Sequence, residues 1–246
     1  MALLLSKLET KWLFNGELTL MMPRTQRQAE AESYIRGLSH VVSLPPSSLV
    51  HQGHMWGTDG SMIPATGSIG DDKSVTAAVT GPQTIVVRLN GRNLCILHGE
   101  LIGLIMGLVL SDNETPNNKI FTDHLNSVRF IDDARTSINQ DNRLRGMNGR
   151  SYYKWIMDLV RRVQTQVLHT KAHTNQVNLS SLLNNEADHY ASKSQKLVNS
   201  LHQAPVPTFF MDKFTFYRHH DGWIESNIRT FVDHYVARDT LLELQK

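Results

Sequence analysis

The chain has 246 residues, 40% hydrophobic and 20% charged, enough to enclose one substantial core with length left for flanking elements. Its formal net charge of +2 is too small to announce a nucleic-acid binder, because such a figure averages over faces of opposite sign. The single Cys95 excludes a disulfide framework and a cysteine-rich zinc site, and Lys7, Glu9 and Lys11 interrupt the apolar Met1-Ala2-Leu3-Leu4-Leu5 start too early for a secretory or membrane segment. The expectation is an intracellular protein, nuclear or cytoplasmic, with no secretory signal and no membrane partner.

Residues 24–40 carry helix formers around Ala29, Ala31, Tyr34, Ile35 and Leu38, and Pro45-Pro46-Ser47-Ser48 then breaks the pattern. From Met55 the texture changes to β-branched runs: one leading into Trp56-Gly57-Thr58-Asp59-Gly60, then 75–80 and 84–89, separated by Gly81-Pro82. Helix and strand alternate from there. Residues 94–110 have helical length and apolar spacing, 118–122 form a compact strand, and 125–134 and 151–163 are helical. A fifth strand over 164–169 and a closing helix over 183–198 complete the series. Three antiparallel strands followed by helix-linked strands predict an α/β fold, a mixed five-stranded sheet with helices on both faces, since parallel strands need helical crossovers. The expected division is a helical appendage over 1–50, a main domain over 51–202, and an aromatic segment with a helix over 203–246, the helix at 224–244. Phe209, Phe210, Phe214, Phe216 and Tyr217 read as a packing strap rather than a base-stacking platform.

Four acidic residues stand where this architecture brings chain segments together: Asp59 at the first strand, Glu100 inside the first helix of the domain, Asp123 after the fourth strand and Asp188 in the closing helix. Asp59 precedes Gly60, which can turn the chain as the strand ends. Glu100 lies in an otherwise apolar segment, where an ionised carboxylate is costly unless it is paired or bound to a cation. Clustered carboxylates repel, and a hard divalent cation such as Mg²⁺ offsets that repulsion. Asp71-Asp72 and Asp132-Asp133 read as solvated. His169 and His173 stand four apart but lack the glutamate of a zinc-protease helix, so no zinc site is assigned there.

Thr58-Asp59-Gly60-Ser61, His98-Gly99-Glu100-Leu101, Phe121-Thr122-Asp123, Lys171-Ala172-His173-Thr174 and Asn184-Asn185-Glu186-Ala187-Asp188-His189-Tyr190-Ala191 resemble, in order, the motifs of type 1 ribonuclease H over roughly residues 54–200. The wording of 122–128 and 147–153 also resembles ribonuclease H domains appended to reverse transcriptases of fungal non-LTR retroelements. The resemblance implies a ribonuclease H-like fold and endonucleolytic cleavage of the RNA strand of an RNA·DNA hybrid, leaving 5′-phosphate and 3′-hydroxyl ends. It implies two Mg²⁺ ions, with Mn²⁺ as a substitute, about 4 Å apart in such sites. Asp59, Glu100, Asp123 and Asp188 would be their ligands, Asp59 bridging the pair, and His173 would assist proton transfer or product release. The chain departs from the family's usual wording at His124, where Ser is common, and at Asn185, where Glu is common.

Between 142 and 172 the basic residues are Arg143, Arg145, Arg150, Lys154, Arg161, Arg162 and Lys171, against the single acid Asp158. This local excess, interleaved with Tyr152, Tyr153 and Trp155, suits contact with a phosphate backbone. Ser61 and Asn126 are candidates for contacts to RNA 2′-hydroxyls. The implied partners are an RNA·DNA hybrid and a reverse transcriptase in the same polyprotein. The competing readings are another nuclease of the same superfamily and a non-catalytic connection module of a reverse-transcriptase assembly; four confronted like charges argue against the latter.

Overall fold

The computed structural model describes residues 18–21, 25–41, 54–63, 74–89, 95–111, 117–136, 144, 147–172, 178–195, 215–218, 222–223 and 232–233. In chain order the elements are β1 (Leu18–Met21), α1 (Thr25–Val41), β2 (Met55–Ile63), β3 (Ser74–Thr80), β4 (Ile85–Leu89), α2 (Ile96–Leu110) and β5 (Lys119–Thr122). After them come α3 (Leu125–Thr136), α4 (Arg150–Arg162), β6 (Gln166–His169), α5 (Leu179–Ser194), β7 (Thr215–Arg218) and β8 (Gly222–Trp223).

Strands β2 to β6 form one sheet in the order β4-β3-β2-β5-β6. The first three are antiparallel neighbours, and β5 and β6 join as parallel strands. This is the mixed five-stranded sheet expected from the sequence. Its interior strand β3 is buried on both faces, and the two faces are built from different chemistry. Val75, Ala77 and Val79 belong to the larger core, with residues of α2, α3 and α4, whereas Ala78 packs with Val86, Ala187 and Ala191 beneath α5. The two-residue period of the strand thus feeds one core on each side.

The helix boundaries shift modestly from expectation. α5 begins at Leu179 rather than 183, because Asn178 caps it by accepting a hydrogen bond from the Ser181 amide at 2.8 Å. α1 packs into the larger core through Ala31, Ile35 and Leu38. Strand β1 pairs antiparallel with β7, and β7 with β8, in a separate three-stranded sheet, so segments from either side of the five-stranded sheet meet each other. Phe216 and Tyr217 lie in β7. Phe209, Phe210, Phe214 and most of the helix expected over 224–244 fall outside the described residues. Among the described residues no helix is long and apolar enough to cross a membrane.

Candidate metal centre

The parallel register of β2 and β5 sets Gly57 opposite Phe121. Continued by two residues, it places Asp59 level with Asp123, which directly follows β5. Glu100 arrives from the second turn of α2, at the same end of the sheet. One carboxyl oxygen from each of Asp59, Glu100 and Asp123 lies within 4.8 Å of the others. Three segments distant in sequence therefore converge through strand register and one helix.

Gly60 organises the contact between two of them. Its amide donates to Asp59 Oδ1 at 2.8 Å and to Glu100 Oε1 at 3.3 Å. A Cβ at this position would stand 2.5 Å from the Glu100 amide nitrogen and 2.6 Å from the Gly99 carbonyl carbon. Gly60 was expected to turn the chain at the end of the strand. It does not: β2 continues to Ile63, and the glycine is needed so that α2 can approach the strand closely.

Burial dominates the electrostatics. Desolvation, with the nearby Asp123 and Asp188 charges, raises Asp59 from its ordinary 3.8 to about 8. Desolvation, with Asp59 and Asp123, raises Glu100 from 4.5 to about 10. Without a counter-charge, Glu100 therefore holds a proton at neutral pH. Its Oε2 is buried with no hydrogen-bond partner among the described residues. An orphaned carboxyl oxygen within an all-oxygen donor set fits a hard divalent cation, which would displace that proton and supply the missing partner.

Asp188 is not part of the tight triad, but its charge reaches Asp59. It is half-buried on α5 and accepts a hydrogen bond from Ser192 Oγ at 3.3 Å. Ser192 is also 3.3 Å from Ser61 Oγ, which links α5 to the strand bearing Asp59. α5 is fixed to the sheet by polar contacts that sequence reasoning missed. Thr76 and Thr80 donate their hydroxyls to the carbonyls of Ala191 and Leu183 at 2.8 and 2.9 Å, and the Asn184 amide donates to Thr58 O at 3.0 Å. The available signal was the spacing of Thr76 and Thr80 around Ala78 on a strand buried on both faces, where threonine hydroxyls must find partners.

The remaining expected residues are dispersed. His173, Arg143 and Arg145 lie outside the described residues. Asn126 is exposed in the first turn of α3; Arg161 and Lys171 are exposed, and Arg150 and Lys154 half-buried. Arg162 is already engaged: it pairs with buried Glu32 of α1 at 2.6 Å and with Asp158 at 3.1 Å, and Glu32 raises its pKa. The aromatic residues read as interleaved with this basic segment face inward. Tyr152, Tyr153 and Trp155 are buried in the larger core, so they do not present stacking surfaces for bases.

His124 sits beside Asp123 with Nδ1 2.6 Å from Ser127 Oγ, and its amide donates to Thr122 Oγ1 at 3.2 Å. Burial lowers its pKa, partly offset by the Asp123 charge. Half-buried His98, three residues into α2, has its pKa lowered by desolvation and receives the Cys95 amide hydrogen bond on Nδ1 at 3.1 Å.

No protein-family model and no curated protein sequence matches the chain. Among solved structures, the RNase H domain of prototype foamy virus is similar at 13% identity and a TM-score of 0.47, over 61% of this chain and 99% of that domain. The foamy viral protease-reverse transcriptase in complex with RNA/DNA hybrid is similar at 15% identity and a TM-score of 0.44, over 63% of this chain. The match spans 22% of that longer protein. RNase H1 from the halophilic archaeon Halobacterium salinarum is similar at 13% identity and a TM-score of 0.34, over 57% of this chain and 97% of that one.

Proposed function

We propose that the chain is an endoribonuclease that hydrolyses the RNA strand of RNA·DNA hybrids in a divalent-cation-dependent reaction, leaving 5′-phosphate and 3′-hydroxyl ends. The observation that carries this reading is the convergence of Asp59, Glu100 and Asp123 within 4.8 Å, in an environment that disfavours the charged forms of Asp59 and Glu100. A scaffold has no use for such a confrontation, because the unrelieved repulsion and desolvation only weaken the fold. The motif wording noted above selects hybrid hydrolysis from the chemistries that an acidic site of this kind supports.

Asp59, Glu100 and Asp123 would hold Mg²⁺, or Mn²⁺ in its place, as a pair of ions with Asp188 completing the set from α5. Bound divalent cations lower the pKa of an attacking water and offset charge on the leaving oxygen. The chain's own contribution is positional. The Gly60 amide holds the Asp59 and Glu100 carboxyls side by side, and the buried α2 backbone keeps Glu100 from swinging into water. His173 is assigned to proton transfer or product release on the motif alone. The exposed Arg161 and Lys171, with Arg150, Lys154, Arg143 and Arg145, are assigned to phosphates, and Ser61 and Asn126 to the RNA minor groove. A reverse transcriptase of the fungal non-LTR retroelement kind, in the same polyprotein, is the proposed partner.

The deciding experiment compares cleavage of an RNA·DNA hybrid, double-stranded RNA and double-stranded DNA in Mg²⁺, in Mn²⁺ and in chelator. Hybrid-selective cleavage abolished by chelator is expected. Equal cleavage of all three duplexes, or cleavage that survives the chelator, would overturn the assignment.

A further inference from the structure

His124 follows Asp123 directly, yet its ring does not belong to the carboxylate cluster. One ring nitrogen is fixed. Nδ1 lies 2.6 Å from Ser127 Oγ, one turn along the start of α3. Ser127 is only 1% exposed, and among the described residues its hydroxyl has no other side-chain or carbonyl partner. A buried hydroxyl proton left without an acceptor is costly, so Ser127 donates and Nδ1 accepts. The imidazole proton must then reside on Nε2, which makes that nitrogen a donor. Nε2 has no partner among the described residues, and the ring is half-buried at the rim of the acidic centre.

We infer that His124 is a substrate-contacting residue that donates its Nε2 hydrogen to a non-bridging phosphate oxygen of the bound nucleic-acid strand. The site needs such a donor. Its carboxylates repel a polyanion, the exposed Arg161 and Lys171 lie on α4 and just after β6, and the exposed Arg129 and Arg135 of α3 stand further along the helix than His124. A fixed neutral donor gives a short hydrogen bond to an anionic oxygen without adding a second cation beside the metal centre. Ser127 is then a positioning residue, setting which nitrogen carries the proton. This inference rests on the reading of the chain as a hybrid-binding nuclease.

The test is a binding cycle, with cleavage by the wild-type chain in Mg²⁺ recorded separately. Affinity for an RNA·DNA hybrid is measured for the wild type, His124→Ala, His124→Gln and Ser127→Ala, each with hybrids carrying one uncharged methylphosphonate linkage stepped along the RNA strand. His124→Ala should weaken binding of the unmodified hybrid about tenfold. One linkage position should cost the wild type a similar factor and cost His124→Ala nothing more, which is the coupling expected of a direct contact. His124→Gln, which keeps a side-chain N–H, should recover part of the loss, and Ser127→Ala should show a smaller loss at the same linkage. Unchanged affinity in His124→Ala, or losses that simply add at every linkage, would overturn the contact. If the wild type binds with this coupling but does not cleave, the contact stands and the nuclease reading fails; if it cleaves without the coupling, the reverse holds; a chain that neither binds nor cleaves overturns both.

Discussion

Trp155 donates its indole N–H to Glu32 Oε1 at 3.0 Å, joining the core of α4 to a helix that lies 123 residues earlier in the chain. Arg162, about two turns further along the same face of α4, clasps the same carboxylate at 2.6 Å. Glu32 is buried, and its charge is tolerated because two donors from α4 meet it. Replacing Glu32 with Ala takes away the carboxylate that the fully buried indole and Arg162 both donate to, and the expected loss is about 2 kcal/mol of unfolding free energy. Trp155→Phe, which removes the donor and leaves Arg162 in place, should cost less. Urea denaturation of the three proteins checks the order; equal stability of Glu32→Ala and wild type would mean that α1 is not held here.

Gly60→Ala tests whether strand and helix must touch for the centre to form. The added methyl would lie 2.5 Å from the Glu100 amide, a distance at which backbone must move. The expected outcome is a loss of about 2 kcal/mol in stability together with weaker stabilisation by Mg²⁺, because Glu100 is displaced from Asp59. Thermal melts with and without Mg²⁺ read both effects. A variant as stable and as Mg²⁺-responsive as wild type would show that the close approach is dispensable.

The succession of strands and helices, the antiparallel and then parallel pairing, and the covering of both sheet faces were legible because they follow from hydrophobic period and connection rules, whereas singling out Asp59, Glu100, Asp123 and Asp188 among the acidic residues drew on motif wording as well. What sequence reading missed has a common physical origin. Whether Gly60 bends the strand or admits a helix depends on what lies opposite, and glycine permits both. The inward turn of Tyr152, Tyr153 and Trp155 was likewise hidden, because a basic helix with aromatics reads the same whether the rings face a core or a ligand. Arg162 was read as a surface cation, since its partner Glu32 belongs to a segment placed outside the main domain. Thr76 and Thr80 looked like ordinary strand residues until a helix carbonyl stood over each.

The raised carboxyl groups predict how stability changes with pH. Asp59 and Glu100 have folded-state values of about 8 and about 10, above their ordinary 3.8 and 4.5, so the native metal-free chain binds more protons than the unfolded chain between those limits. Their contribution is fully present below the unfolded values and is lost as pH rises through the folded ones. In chelator, unfolding free energy should fall from pH 5 to 9, by up to about 1.4 kcal/mol per pH unit for each group. Saturating Mg²⁺ should flatten the slope, because cation binding replaces the protons. Denaturation midpoints across that range, with chelator and with Mg²⁺, provide the check; a slope unaffected by Mg²⁺ would place the cation elsewhere.

The four acidic residues should not be equivalent. Asp123 belongs to the triad within 4.8 Å, whereas Asp188 stands outside it on α5, tethered by Ser192. Asp123→Asn removes an anionic ligand, and the expected fall in hybrid cleavage is on the order of 100-fold or more, since even indirect supporting contacts to a metal are worth 10- to 100-fold. Asp188→Asn, acting on the set from its edge, should cost on the order of 10-fold, and Ser192→Ala, which only loosens that carboxylate, a few-fold. The same ranking should appear in Mg²⁺ affinity measured by calorimetry, where no cleavage is required. Rates and affinities in which Asp188→Asn is as damaging as Asp123→Asn would mean that α5 closes onto the centre when metal and substrate bind, bringing the fourth carboxylate within reach of the other three.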